Sequence, residues 1–253
     1  MFLHEIINII ESVAPLKWQE AWDNSGLQVG NRNAQIHSVL LTTDVTEAVV
    51  SEAIDKHCEL VISHHPLLFH GLKQVCNDTP QERCVAMAIR HDIAIYSAHT
   101  TMDSWLHGVS GRMAEQIGIS DYKLLTGEDY GLGVIGSLQD AMPLKGFLQL
   151  VKSAFDAPVL RYACGPAAKV KTIALCGGAG AEFVEQAIAA GADTFITADV
   201  KYHSFLDAAG RINLIDMDHW VSEHFTRDIF RELLKDKVQL HIAQTDKSPI
   251  NIY

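Results

Sequence analysis

Three short motifs in this 253-residue chain bring imidazole and carboxylate side chains together at spacings that suit metal chemistry. The first is Ser63-His64-His65-Pro66, directly after the apolar run Glu59-Leu-Val-Ile. In an open parallel sheet, ligands collect outside the carboxyl ends of strands, which is where this pair falls. Neighbouring residues of an extended segment point to opposite sides, so His64 and His65 are expected to serve two different ions rather than chelate one. The second motif, Ser97-Ala-His99-Thr-Thr-Met-Asp103, follows the run Ile93-Ala-Ile-Tyr. Its His and Asp share a face if the chain turns helical there; otherwise Asp103 is an ordinary first-turn acid. The third, Asp216-Met-Asp218-His219-Trp-Val-Ser-Glu223, opens an amphipathic run that continues through Phe225, Ile229 and Leu233. His219 and Glu223 stand one helical turn apart, the spacing by which a helix offers two ligands. Ser222 before Glu223 reads equally as a residue that helps start the helix.

No motif is decisive alone. Together they supply three or four imidazoles and two carboxylates, more than one tetrahedral ion needs and about what two ions sharing a carboxylate use. A structural zinc site would favour cysteine and closed four-coordination, whereas mixed N/O ligands leave room for water. The expectation is a catalytic-type dinuclear centre with ions about 3.5–4 Å apart, bridged by water or hydroxide.

Softer signals surround these. Cys176-Gly-Gly-Ala-Gly180 lies between the apolar run Thr172-Ile-Ala-Leu and a helical pattern. Its amides could cradle phosphate, but it lacks the GxGxxG and Walker patterns and reads more readily as a tight strand-to-helix turn. In Asp199-Val-Lys201-Tyr-His203, either Lys201 or His203 orients an anionic substrate, or the segment is a plain polar loop. Asp44 and Trp22-Asp-Asn-Ser-Gly-Leu27 line the site or build turns, and His4, His37 and His241 are read as surface or structural.

Positioning the three motifs requires strand ends, and the apolar periodicity alternates between helical stretches and short strand-like runs, as in βα units. The predicted class is α/β with mainly parallel or mixed sheets. The first series has helices near 2–14, 46–57, 80–91 and 105–117, and strands at 38–43, 59–63 and 93–98. The second has strands near 130–138, 170–176, 193–197, 212–217 and 238–243, with helices at 181–190, 202–209 and 220–235. The polar turn Leu124-Leu-Thr-Gly-Glu-Asp-Tyr-Gly131 separates them, giving expected domains 1–126 and 127–253. The halves are related. One ungapped shift sets Val39 against Ile173, Ala53 against Ala187 and Glu59–Ser63 against Asp193–Thr197. A second, slightly smaller shift sets His99 against His219 and Asp103 against Glu223, so both halves end a strand with His-x3-acid. A duplicated unit of this kind places the metal site between two related α/β halves.

Composition narrows the partners. A formal charge of −11 repels phosphate backbones and anionic lipid, and no basic patch offsets it, so nucleic acid is the least favoured ligand. No apolar run is long enough to span a bilayer, and the N-terminus carries Glu5 with no Lys or Arg before Lys17, so neither a membrane span nor a signal peptide is read and a cytoplasmic protein is expected. Five cysteines without a CxxC pair argue against a disulfide framework.

The motifs Trp22–Leu27, Ser63–Pro66, Ala98–Asp103, Cys176–Gly180, Ala198–His203 and His219–Glu223 run in order along nearly the whole chain and resemble the GTP cyclohydrolase I type 2 family, the Nif-three-like dinuclear-metal proteins. The resemblance implies a two-domain α/β protomer in a toroidal homohexamer. It implies two divalent ions per subunit held by His64, His65, Asp103, His219 and Glu223, with His99 beside them. Some members carry a long inserted middle domain, for which this chain has no room. The implied activity is hydrolysis of a nucleotide-like small molecule, with metal-activated water attacking the purine ring carbon C8 of GTP, His99 shuttling a proton, and the phosphates toward Lys201, His203 or the glycine turn. The same fold and ligands would serve a phosphoesterase, or a non-enzymatic metal-binding scaffold or interaction protein. Imidazole with carboxylate suits zinc, iron or manganese. Because imidazole ligates only when neutral, bound metal is expected to be lost as pH falls below about 6. Elemental analysis after dialysis across pH 4.5–7.5 checks this, and full retention at pH 4.5 would contradict a His-rich site.

Overall fold

The computed structural model describes residues 1–253. The first elements along the chain are α1 (Leu3–Val13), β1 (Gly26–Val29), β2 (Ser38–Thr42), α2 (Glu47–Asp55), β3 (Leu60–Ser63), α3 (Pro80–Arg90), β4 (Ala94–Ser97) and the short α4 (Thr100–Asp103). They are followed by α5 (Val109–Gln116), β5 (Tyr122–Leu124), β6 (Val134–Pro143), α6 (Leu144–Ala154), β7 (Leu160–Ala163), β8 (Lys169–Leu175) and α7 (Val184–Ala189). The last are β9 (Thr194–Thr197), α8 (Tyr202–Ala208), β10 (Asn213–Met217), α9 (His219–Glu223), α10 (Thr226–Leu234) and β11 (Gln239–Ile242). The chain is a mixed α/β protein, as expected. It forms two compact units, Met1–Met102 with His224–Lys247, and Asp103–Glu223 with Ser248–Tyr253. The chain therefore passes between units at 102/103, 223/224 and 247/248, whereas the polar turn at 124–131 leads into β6 inside the second unit.

In the first unit the sheet order is β1-β4-β3-β2-β11, with β11, β2, β3 and β4 parallel and β1 antiparallel at the edge. Strands β2, β3 and β4 are buried at every position, because a central parallel strand is covered on both faces and must be apolar on both. One face packs Leu40, Val61 and Ile95 against Val49, Val50 and Ala53 of α2 and Cys84, Val85 and Ala88 of α3. Both helices start on threonine caps: Thr46 Oγ1 accepts from Val49 N and Thr79 Oγ1 from Glu82 N, each at 3.2 Å, and Pro80 occupies the first helical position. Helix α10 packs against β2 and α1.

The second unit carries a six-stranded sheet, β5-β6-β8-β9-β10-β7, whose β8, β9 and β10 are parallel and whose other strands are antiparallel. The duplication is visible in the pairing. Val39 pairs with Leu60 and Leu60 with Ala94, while Ile173 pairs with Thr194 and Thr194 with Asn213. An antiparallel strand flanks the third parallel strand in both units, β1 on β4 and β7 on β10. The sheet register sets Ser97 opposite Ser63 and Asp216 opposite Thr197, so His219 lies one residue further beyond its register-matched position than His99 does, although each stands two residues past its strand end. The helix expected at 220–235 is divided into α9 and α10, and that expected near 105–117 is α5, preceded by the separate short α4.

Glu52 ties β11 into the first unit. Its carboxylate accepts from Gln244 N at 3.0 Å, Thr245 N at 2.9 Å and Thr245 Oγ1 at 2.7 Å. Burial works against its ionisation, but these donors and Lys56 outweigh burial and hold its pKa below the ordinary value of 4.5. A depressed folded-state pKa contributes stability that is present above the ordinary glutamate range and lost as pH falls below it. Glu52→Ala should cost about 1–3 kcal/mol, the scale of buried donors left unsatisfied. Urea unfolding checks this: the difference between wild type and variant should be full at pH 7 and shrink toward pH 3.

Candidate functional site

Within the first unit, His64, His65 and His99 bring their ring nitrogens to within 4.8 Å of one another. Each ring stands just past a strand end. The β2–β3 pairing continues beyond the strands, with His64 N donating to Thr42 O at 3.2 Å and His65 N to Thr43 O at 2.9 Å. The expectation that the two neighbouring imidazoles point to opposite sides fails: their ring centroids are 4.9 Å apart with planes inclined 49°. Anchoring explains the difference. Ser63 Oγ donates to His65 O at 2.8 Å, and Pro66 restricts the backbone of residue 65. His64 Nδ1 is held by Ala98 O at 3.1 Å and His65 Nδ1 by an Asp44 carboxylate oxygen at 2.9 Å.

His99 is held more elaborately. Its Nδ1 donates to Asp23 Oδ1 at 2.8 Å, and its backbone N–H donates to Ser25 Oγ at 3.1 Å. Asp23 also accepts from Asn24 N, Ser25 Oγ, Thr100 N and Thr100 Oγ1, the last at 2.6 Å. Its side chain is fully buried. Burial pushes its pKa up, but the His99 hydrogen bond and charge, with Thr100 and Ser25, reverse that and hold Asp23 well below the usual carboxylate range. The Trp22–Leu27 motif therefore supplies the group that orients His99 rather than only a turn.

In the second unit, α9 places His219 and Glu223 one turn apart, with Nε2 and Oε2 separated by 3.0 Å. His219 Nδ1 is held by Asp199 Oδ2 at 2.7 Å. Asp218 Oδ1 accepts from Val221 N at 3.1 Å and starts the helix. Ser222 instead bridges α9 and the glycine turn, its hydroxyl donating to His219 O at 2.7 Å and accepting from Gly178 N at 2.9 Å. Asp103, the last residue of α4, belongs to the same neighbourhood, since Cys176 feels both Asp103 and Glu223. Burial first, then those carboxylates, push the Cys176 thiol far up, so it stays protonated in this environment.

The glycine turn is structural. Gly177 N donates to Ser110 Oγ, Gly178 N to Ser222 Oγ and Gly180 N to Thr197 Oγ1, which occupies the amides a phosphate would need. Lys201 and His203 are exposed at the start of α8, and the residue of their loop that reaches His219 is Asp199. A cavity of about 460 Å³ opens beside His65 and Asp44, and another of about 360 Å³ beside His219, lined also by Arg161, Met217 and Ile250. No helix is long and apolar enough to cross a membrane.

A family model described as Duf34/NIF3 (NGG1p interacting factor 3) matches residues 1–249. The chain belongs to the DUF34/NIF3 family. A GTP cyclohydrolase 1 type 2 homolog of Clostridium perfringens is 34% identical over 98% of each chain. The NIF3-like protein 1 of Drosophila melanogaster is 30% identical over 98% of this chain and 88% of its own length. The crystal structure of a Staphylococcus aureus hypothetical protein superposes with a TM-score of 0.91 at 26% identity, covering 100% of this chain and 99% of its own. The resemblance read from the motifs is thus the family of the chain.

For this DUF34/NIF3 chain, the donor chemistry fits divalent metal. His64, His65 and His99 each have Nδ1 on a carbonyl or carboxylate oxygen, which fixes Nδ1 as the N–H and leaves Nε2 as the lone-pair nitrogen, the arrangement ligating histidines adopt; His219 Nδ1 is likewise on Asp199, while its Nε2 faces Glu223 Oε2 at 3.0 Å, two donor atoms that one cation could bridge. The sequence singles out the imidazoles and puts Asp44 and the segment holding Asp23 at the site or in turns, but does not mark Asp199 or the carbonyl of Ala98 as acceptors that aim a ring. The available signal is position, since Asp44 and Asp199 both follow strands of the duplicated unit. Gly178 has φ +62°, and a Cβ there would overlap Glu223 Oε1. Gly178→Ala should therefore displace the Glu223 carboxylate and weaken divalent-metal affinity about tenfold or more. Zinc titration by calorimetry checks this, with unfolding monitored in parallel to separate metal loss from loss of fold.

Proposed function

We propose that this protein is a dinuclear-metal-dependent hydrolase acting on a nucleotide-like substrate. His64, His65, Asp103, His219 and Glu223 hold two divalent ions drawn from zinc, iron or manganese. The observation that carries the reading is the repeated orientation of imidazole: His64 and His65 in the first unit and His219 in the second have Nδ1 locked by an acceptor, so that Nε2 is the nitrogen that can ligate, and Glu223 Oε2 stands 3.0 Å from that of His219. The names of the relatives point the same way, since the Clostridium perfringens protein is called a GTP cyclohydrolase 1 type 2 homolog.

Bound ions supply Lewis-acid polarisation and make water a nucleophile at neutral pH. The chain supplies the rest. His99 moves the proton: Asp23 keeps Nδ1–H in place, so proton exchange with the reacting group occurs at Nε2. Asp23 stays ionised throughout and stabilises the imidazolium that forms. Lys201 and His203 meet the anionic end of the substrate from the exposed start of α8. The protein works as the homohexamer implied by its resemblance and, with five free cysteines, in the cytoplasm.

The test is incubation of zinc-, iron- or manganese-loaded protein with GTP, followed by product chromatography. The expected product is the ring-opened base with its triphosphate intact. His65→Ala should lower the rate at least a hundredfold, about the effect of losing a ligand or its outer-shell partner. Release of inorganic phosphate instead would assign an in-line phosphoesterase. Equal activity of His65→Ala and wild type would falsify the metal-ligand assignment.

A further inference from the structure

Trp22 and Phe69 are large aromatic residues left exposed beside the imidazole cluster, with 56% and 38% of their surface open. Tryptophan is ordinarily well buried, so an exposed indole on a fixed loop calls for a ligand rather than a packing role. The loops that carry the two rings are pinned to each other. Asn24 Nδ2 donates to Leu68 O at 2.7 Å, Leu68 N to Gln28 Oε1 at 3.1 Å, and Gln28 Nε2 to Asn24 O at 2.7 Å. Next to Trp22, the buried Asp23 is fixed by the donors of Ser25, His99 and Thr100. The aromatic groups are thus held before any ligand arrives, which lowers the entropy lost on binding.

Their geometry selects the ligand. The rings of Trp22 and Phe69 lie 5.9 Å apart at 47°, an open angle rather than a closed stack, so they do not consume each other's faces. Both present to His99 at steep angles, Trp22 at 5.8 Å and 70° and Phe69 at 6.3 Å and 68°. The indole is thus in edge-on contact with His99, so a planar ring held on it is brought into the neighbourhood of that imidazole. We propose that Trp22, supported by Phe69, is a stacking platform for the purine ring of the substrate, placing that ring beside His99. A fused bicyclic ring matches the indole in size, and an electron-poor heterocycle on an electron-rich indole is a favourable stack. The inference rests on the proposed nucleotide hydrolase and specifies which part of the nucleotide the first unit holds.

The experiment uses the full-length, zinc-loaded protein and two probes, guanosine 5′-monophosphate and ribose 5-phosphate, titrated by calorimetry. Trp22→Ala should raise the Kd for guanosine monophosphate about tenfold, the scale of one lost stacking partner. Trp22→Phe should raise it less, and ribose 5-phosphate should bind all three proteins alike with zinc content unchanged. With GTP as substrate, Trp22→Ala should raise KM more than it lowers kcat. The platform is overturned if Trp22→Ala binds guanosine monophosphate as tightly as wild type, if both probes weaken in parallel, or if wild type gains nothing from the base. Trp22-dependent base binding without GTP turnover would uphold the platform and sink the hydrolase; turnover with an unchanged KM in Trp22→Ala would do the reverse.

Discussion

A histidine at a strand end can present a lone pair in a chosen direction only if something else fixes its proton. In this protein that constraint is met by an oxygen placed against Nδ1 of each strand-end histidine: Ala98 O for His64, Asp44 for His65, Asp23 for His99 and Asp199 for His219. Much of the local structure follows from it. The loop before β1 is tied to His99 and Thr100 through Asp23, which is buried among enough donors to stay ionised. Ala98 O is available to His64 because β4 runs beside β3 and Ala98 N continues that pairing to Ser63 O at 3.0 Å.

The duplication of the sheet is one of backbone rather than of side-chain roles. Strands β2, β3 and β4 correspond in order and direction to β8, β9 and β10. In the first unit, however, the histidines follow the second and third of these strands, whereas in the second unit His219 follows the third and the second is followed by Asp199. The position that carries imidazole in one copy carries the acceptor for an imidazole in the other. A one-residue difference in sheet register accompanies this change, and His219 sits inside α9 with Glu223 one turn on, while His99 precedes α4. A parallel strand end is a place where either a donor or its orienting acid can be mounted, and divergence of the copies has used both options.

Legibility in the sequence follows the same physics. Strands β2, β3, β4, β9 and β10 and the helices between them are readable because burial on both faces demands continuous apolar runs and the covering helices need a single apolar stripe. Strands β1 and β7 are not: they are four-residue edge strands, only partly buried, without clean alternation. Helix α6 is also hidden in the sequence although Phe147 and Val151 bury one stripe; Pro143 and Gly146 at its start obscure the pattern. In the site, residue types and spacing locate the imidazoles, but the convergence of His64 and His65 depends on χ angles set by Ala98 and Asp44, which lie far away in sequence. Backbone alternation cannot foresee it.

What separates His99 from the other three imidazoles is the surroundings of its acceptor. His64 leans on a neutral carbonyl. His65 and His219 lean on carboxylates, but those of Asp44 and Asp199 are 45% and 54% exposed, so water and salt screen them. Asp23 is fully buried and remains ionised, and a charge in that setting acts on its neighbour with little screening. An imidazole that takes up a proton at Nε2 becomes a cation, and a buried, ionised carboxylate at Nδ1 is the partner that stabilises it. The four oriented rings therefore divide by environment: His99 alone has a fully buried, ionised carboxylate at Nδ1.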